Sequence, residues 1–475
     1  MSIIKSYGFN LFNALLNIAF PIISFPYAAR ILSPEGIGET MFIFSFAQYF
    51  ALLAAFGIPI YGVKVVAAAA QDKNTLNKVS SELISLSGVI TLTVMTIYLL
   101  SVSLIPRFQP DLTAYLVAGI LVAFSVLNVE WFFWGIEKFK WITLSSLAVK
   151  SLSLILLFVF VQKGDDTYGY LIFLLFLYVG NYLINFFLLM KRITFRWTLK
   201  GARVHFMPLL MIFSMTLATT IYTTLDTIFL GFLSNKTEVG FYTAAVKLAK
   251  VSIPIMTSLG VVVIPRAMQM MHNQDQSGQL KLYKKSFAFI SFLAIPISLG
   301  IYVTGQEAIL LFSGQAFFPA EPSVKVLALL PLFIGVGHFV AFQILIPFDK
   351  NKGMLIATFV GMLVFAALSF TLIPTFGSTG MAWANLSTEL VVTVCYFFFV
   401  PAAIWKQLPW KELPKALVIA LFFIPIHWGI QIMDLSTGPT FGLSVLICGT
   451  FYLAAQHYFF KNPLTHELLG YLLNK

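Results

Sequence analysis

Six ionisable side chains stand where a membrane-crossing helix should carry none: Glu130, Lys150, Asp226, Lys247, Lys250 and Glu389, each inside an otherwise apolar stretch. At bilayer depth such a group costs about 2.5–3.5 kcal/mol on insertion scales, so it faces a cavity or a partner. Lys247 and Lys250 are three residues apart and share one helix face. Two ammonium groups on one face suit a polar cavity that attracts an anion; the alternative is snorkelling to an interface or pairing within the protein. Asp226, in the preceding stretch, is a candidate partner. Lys150 lies midway along its stretch, too deep to snorkel easily. Glu130 and Glu389 suit either a proton or cation carrier or structural hydrogen bonding in a helical bundle. Arg30 and Lys64 sit at stretch ends, where anion binding and snorkelling are both open. The cluster Trp131-Phe132-Phe133-Trp134 reads as packing or an interfacial belt rather than a sugar platform.

No other catalytic or cofactor chemistry emerges. The six histidines are scattered without metal-ligand spacing, so no metal is expected. Cys395 and Cys448 lie in apolar runs as small core residues. No GxxxxGK[ST] motif occurs, so the chain is not expected to hydrolyse ATP or to act as an enzyme.

The elements that must position these groups follow from composition. Of 475 residues 59% are hydrophobic and only 10% charged, with 49 phenylalanines. A soluble protein carries about 25% charged residues, so lipid must solvate much of this chain. Apolar runs long enough to cross a bilayer fall at 7–29, 40–62, 83–105, 113–136, 141–162, 168–190, 207–233, 239–264, 286–305, 324–347, 354–374, 380–400, 416–433 and 441–460, about fourteen helices. The start resembles a secretion signal, but no small-residue cleavage site follows and Pro21 and Pro26 interrupt the run, so a retained first helix is expected. The net charge of +11 is spread between the apolar runs, which argues against nucleic acid. With the N-terminus in the cytoplasm, 22 Lys and Arg fall inside and five outside: Arg30, Arg107, Lys163, Lys236 and Lys325. That bias predicts both termini in the cytoplasm. Proline at 21, 26, 59, 254, 296, 331 and 347 predicts bends in or beside the spans.

The two halves resemble each other. Ile31-Leu32-Ser33 with Ile37-Gly38 recurs as Phe232-Leu233-Ser234 with Val239-Gly240. Ile136-Glu137-Lys138-Phe139-Lys140 recurs as Phe348-Asp349-Lys350-Asn351-Lys352, and Gly169 matches Gly380. A repeat of six helices is even, so both copies enter the membrane from the same side, as in transporters with parallel repeats. The expected organisation is an all-α polytopic membrane protein with an N-lobe of helices 1–6 (1–200), a C-lobe of helices 7–12 (201–405), and helices 13–14 with a tail (406–475).

Four stretches carry a family resemblance: Phe25-Pro26-Tyr27-Ala28-Ala29-Arg30-Ile31-Leu32-Ser33-Pro34-Glu35-Gly36-Ile37-Gly38; Ala55-Phe56-Gly57-Ile58-Pro59; Trp134-Gly135-Ile136-Glu137-Lys138; and Leu225-Asp226-Thr227-Ile228-Phe229-Leu230-Gly231 leading to Val239-Gly240-Phe241-Tyr242. Over roughly residues 5–400 the chain resembles Wzx-type O-antigen or exopolysaccharide flippases of the multidrug/oligosaccharidyl-lipid/polysaccharide (MOP) exporter superfamily. The resemblance implies a V-shaped, MATE-like pair of six-helix lobes around a cationic cavity. It implies transfer of an undecaprenyl-diphosphate-linked oligosaccharide from the inner to the outer leaflet of the bacterial inner membrane, and association with polysaccharide polymerase and chain-length machinery. Arg30 matches the family's arginine after helix 1, Asp226 its helix 7 aspartate, and Lys247 lies in its helix 8 motif. Lys64 stands where many members have arginine, which weakens bidentate phosphate binding there. Lys150, Lys250 and Glu389 match no family motif and rest on the physical reading. Without an ATP site, a proton or sodium gradient or removal of product supplies the drive. A drug or cation antiporter, a flippase of the peptidoglycan lipid precursor and a membrane polymerase or ligase are the rival readings.

Overall fold

The computed structural model describes residue 16, residues 19–462 and residues 464–465. Every regular element among them is helical. Of the expected first span, residues 7–15, 17 and 18 lie outside these residues, as do Lys5 and Lys475 of the charge count. The chain divides by packing into two compact units, Met1–Gly240 and Phe241–Lys475. The boundary expected from helix counting lay at residue 200; the packing-based division falls later, because helices after 200 pack onto the first unit.

The first unit runs through α1 (19–31), α2 (Pro34–Ala55), α3 (Ile58–Ala69), α4 (Lys73–Leu104), α5 (Leu112–Ala123), α6 (Glu130–Gly135), α7 (Phe139–Phe160), α8 (Thr167–Met190), α9 (Ala202–Thr224) and α10 (Asp226–Leu233). Its last residues open α11 (Lys236–Lys250). The second unit continues through α12 (Ile253–His272), α13 (Gln276–Val303), α14 (Gly305–Ser313), α15 (Glu321–Leu327) and α16 (Leu330–His338). A π-helical turn at Phe339–Leu345 precedes α17 (Asn351–Phe397), α18 (Ala402–Trp405), α19 (Glu412–Leu421), α20 (Phe423–Gln431) and α21 (Thr437–Tyr458).

Among the described residues, 11 helical stretches are long and apolar enough to cross a membrane. One of them is α17, whose 47 residues would extend about 70 Å, more than twice a bilayer's hydrocarbon core. It is two helices, broken at Gly377 where φ is 53° and ψ is −127°. Only glycine adopts such a conformation without strain. The break separates the two spans expected at 354–374 and 380–400. The expected seventh and eighth spans are not continuous helices. The seventh is interrupted at Leu225, between α9 and α10. The eighth breaks between Lys250 and Ile253, where Pro254 opens α12 and has no N–H to continue the hydrogen bonding of α11. Leu92, Leu104, Phe398 and Phe459 stand well exposed, as side chains solvated by lipid do.

Local structure repeats where the sequence does. Glu137 (φ 55°) and Asp349 (φ 53°) both take the left-handed conformation that ends a helix. Lys138 N–H then bonds to Phe133 C=O at 2.9 Å, and Lys350 N–H to Leu345 C=O at 2.9 Å. A Cβ on Gly169 would fall on the Phe160 carbonyl, and one on Gly380 on that of Leu372. Asp72 caps α4 through Asn74 and Thr75 N–H, as Asp275 caps α13 through Gly278 N–H. Within the first unit, α2 and the opening of α11 meet backbone to backbone. A Cβ on Gly38 would strike the carbonyl of Lys236, and one on Gly240 the carbonyl of Pro34. Ser33 caps α2 by accepting from Gly36 N–H at 3.1 Å, with Pro34 at the first helical position.

Candidate functional site

The expected site residues fall into two charged groups, one in each unit. In the first unit, Lys150 projects from α7 into the packed interior and is 8% exposed. Its ammonium lies 5.9 Å from the centre of the Phe20 ring, a cation–π placement. Its charge interacts with that of Glu130, which opens α6. Asn185 on α8 donates to Glu130 Oε1 at 3.4 Å and accepts from Ser145 Oγ of α7 at 2.9 Å. A carboxylate near a buried cation offsets part of the penalty that either charge would meet alone. Lys150 therefore does not face acyl chains.

The aromatic cluster after Glu130 packs. Trp131, Phe132 and Phe133 are buried, and only Trp134 reaches the surface. A Cβ on Gly62 would collide with the Trp131 ring, so the glycine lets α3 lie close against α6. Arg30 at the end of α1 and Lys64 on α3 are exposed. Asp226 is buried at the start of α10, where its Oδ1 accepts from the Thr227 N–H at 2.7 Å and from Thr227 Oγ1 at 3.3 Å. It stands at the interruption of the seventh span.

The second unit holds the other group. Lys247 and Lys250 are half-buried on the last turn of α11, at the interruption of the eighth span. Their charges interact with each other, and that of Lys250 interacts with Glu389 on the second half of α17. Glu389 is thus within electrostatic reach of Lys250, a proximity that nothing in the residue spacing signals. Broken helices expose backbone ends beside charged side chains, a device that transporters use to bind ions and anions.

Two buried groups escape sequence reasoning. In the first unit, His205 Nε2 lies 3.1 Å from Glu82 Oε2, and His205 Nδ1 lies 2.9 Å from Tyr61 Oη. A Cβ on Gly201 would run into the Glu82 carboxylate. In the second unit, His427 Nδ1 lies 2.8 Å from Ser444 Oγ, and His427 Nε2 lies 3.5 Å from Glu307 Oε1. Gln431 donates to the same Glu307 oxygen at 3.1 Å. Glu82 and His205 fall at the edges of apolar runs and Glu307 in a connection, so each reads as an interfacial residue. Their partners lie more than a hundred residues away in the chain. The one local signal is His427, which interrupts the apolar run at 416–433.

Residues 3–271 match the family described as "Polysaccharide biosynthesis protein". Two relatives carry the name "Putative O-antigen transporter". The one from Shigella dysenteriae is 25% identical over 386 residues, covering 80% of this chain and 95% of that protein. The one from Escherichia coli (strain K12) is 24% identical over 399 residues, covering 81% and 93%. Among solved structures, the inward closed conformation of the Lipid II flippase MurJ superposes with a TM-score of 0.74 at 16% identity, covering 97% of this chain and all of that one. An inward-facing multidrug resistance MATE family transporter of the MOP superfamily superposes with a TM-score of 0.66 at 16% identity, covering 83% and 95%. These likenesses establish the fold, and the match to the family over more than half of its length establishes the lineage: the chain is a multi-pass, all-α membrane protein of the polysaccharide biosynthesis protein family.

Proposed function

We propose that this protein flips an undecaprenyl-diphosphate-linked oligosaccharide, the repeat unit of O-antigen, capsule or exopolysaccharide, from the inner to the outer leaflet of the bacterial inner membrane. The names of its relatives support a polysaccharide transporter, and the MOP-type fold supports alternating access. The observation that carries the reading is Lys150: a cation held inside the first unit, beside Glu130, where lipid cannot reach it. A diphosphate needs basic groups shielded from lipid; Lys150 in the first unit and Lys247 with Lys250 in the second are the candidates, with Arg30 and Lys64 at helix ends as first contacts. Glu130, Asp226 and Glu389 are the carboxylates through which a proton or sodium gradient would couple to the step. Both termini lie in the cytoplasm, and a polysaccharide polymerase with its chain-length machinery takes the product. The likeness to the Lipid II flippase is one of fold and does not by itself assign its substrate.

The test replaces Lys150 with Met, and Lys247 with Lys250 by Ala, in a strain lacking the native gene. Losing one charge-assisted contact to a phosphate costs about 1.5–3 kcal/mol, so surface glycan is expected to fall tenfold or more at unchanged protein level. Full surface glycan in both variants would remove these lysines from the site.

A further inference from the structure

Of the five Lys and Arg that the charge bias leaves on the outer side, two, Arg107 and Lys236, meet in the first unit. Lys236 opens α11 and bridges two carboxylates. Its Nζ lies 3.2 Å from Glu39 of α2 and 2.9 Å from Asp111, the residue before α5. Arg107, in the turn between α4 and α5, donates to the Gly231 carbonyl of α10 and stands 5.5 Å from the centre of the Phe232 ring. The seam that these groups fasten is smooth. Gly38 and Gly240 rest on carbonyls of the opposite backbone, and Gly231 lies against the Phe42 ring. A cleft of about 430 Å³ opens beside it, lined also by Glu35, Ser234 and Asn235. The Lys236 side chain is 40% exposed, and those of Glu39 and Asp111 are 25% and 24% exposed. Ion pairs so open to water add little net stability and break at little cost.

We propose that this triad is a latch: Lys236 fastens α10 and the opening of α11 to α2 and the start of α5 while the outer side is closed, and releases them when it opens. The sequence repeat counts residues from 201 onward with its second copy, yet packing holds them on the first unit as far as Gly240. The stretch held there, 226–250, lies between two helix interruptions, at Leu225 and between Lys250 and Ile253. Such breaks at element ends are where hinges absorb a change of backbone angle. Because glycine rather than interlocking side chains forms the seam, it parts without repacking a core. Both cations that hold it stand on the side to which the charge bias assigns few. The latch rests on the proposed alternating access and deepens it, by naming the groups that keep the outer side shut.

The test uses the full chain in right-side-out membrane vesicles, with Cys395 and Cys448 replaced by Ala. Ile43→Cys, buried one turn along α2 from Glu39, reports opening through its rate of labelling by a membrane-impermeant maleimide. Val239→Cys, buried on the α11 side of the seam, is the second reporter. Lys236→Gln is expected to speed labelling of both about fivefold or more. Glu39→Gln and Asp111→Asn, each of which leaves Lys236 one partner, should speed it less. Exchanging the charges, Glu39→Lys with Lys236→Glu, should return the slow rate, a recovery that damage to local packing would not show. Labelling unchanged by Lys236→Gln, or as fast in the exchange variant as in Lys236→Gln, overturns the latch. Surface glycan made from the wild-type gene in a strain lacking the native one is scored separately. Its absence with the labelling pattern intact sinks the flippase reading alone, and its presence with unresponsive labelling sinks the latch alone.

Discussion

Two glutamate–histidine pairs, one buried in each unit, are built from the same residue types and differ in one hydrogen. In the first, Glu82 accepts from His205 Nε2–H, and Nδ1 meets the Tyr61 hydroxyl, so both ring nitrogens have a partner. In the second, Ser444 Oγ spends its only hydrogen on the Thr440 carbonyl at 2.6 Å. Ser444 can then only accept from His427 Nδ1–H. That leaves Nε2 facing Glu307 at 3.5 Å, and neither Nε2 nor Glu307 Oε2 makes a hydrogen bond. The second chain thus lacks the hydrogen between ring and carboxyl that the first has. Other charged groups on the elements packed around the second pair are engaged elsewhere: Lys325 with Glu321 at 2.7 Å and Lys415 with Glu412 at 2.8 Å. Identical residue types thus make a closed structural strut in one unit and an incomplete one in the other.

The widest separation between the two is expected on deleting the ring. His205→Ala strands the Glu82 carboxylate in a buried pocket and should cost on the order of 3 kcal/mol, with a matching fall in melting temperature in detergent and in membrane yield. His427→Ala should cost about half as much, because Gln431 continues to hold Glu307. Equal losses would erase the distinction. A smaller effect is expected from Tyr61→Phe, about 1 kcal/mol, since His205 Nδ1 then loses its donor. A melting temperature indistinguishable from wild type would mean that the phenol is not part of the chain. The smallest shift belongs to Glu307→Gln, within about 0.5 kcal/mol, because the new amide can donate to His427 Nε2 without any added proton. Glu82→Gln, whose carboxylate already has its donor, should be the costlier of the two amide variants; the reverse order would invalidate the hydrogen inventory.

Much of the architecture was readable from hydropathy. Apolar runs mark the helices because lipid permits little else, and Lys150 was conspicuous as a charge too deep to snorkel. The loops at 136–140 and 348–352 were found as a sequence repeat and proved to share their backbone conformation. The interruptions at Leu225 and between Lys250 and Ile253 were not readable, because a hydropathy window averages across a break that changes no side chain's polarity. Pro254 hinted at the second of these, yet proline also bends helices without ending them. The alliance of Lys250 with Glu389, and both glutamate–histidine pairs, join residues distant in the chain, and neither spacing nor composition encodes such meetings.

The backbone contact of α2 with the opening of α11 restricts what either helix can carry there. Pro34 and Lys236 occupy corresponding places in the repeated motif, as do Gly38 and Gly240. Each glycine rests on the carbonyl of the other copy's proline or lysine, so the contact maps onto itself when the copies are exchanged. A side chain at either glycine would therefore part both backbones at once, so neither half of this seam can be altered independently of the other.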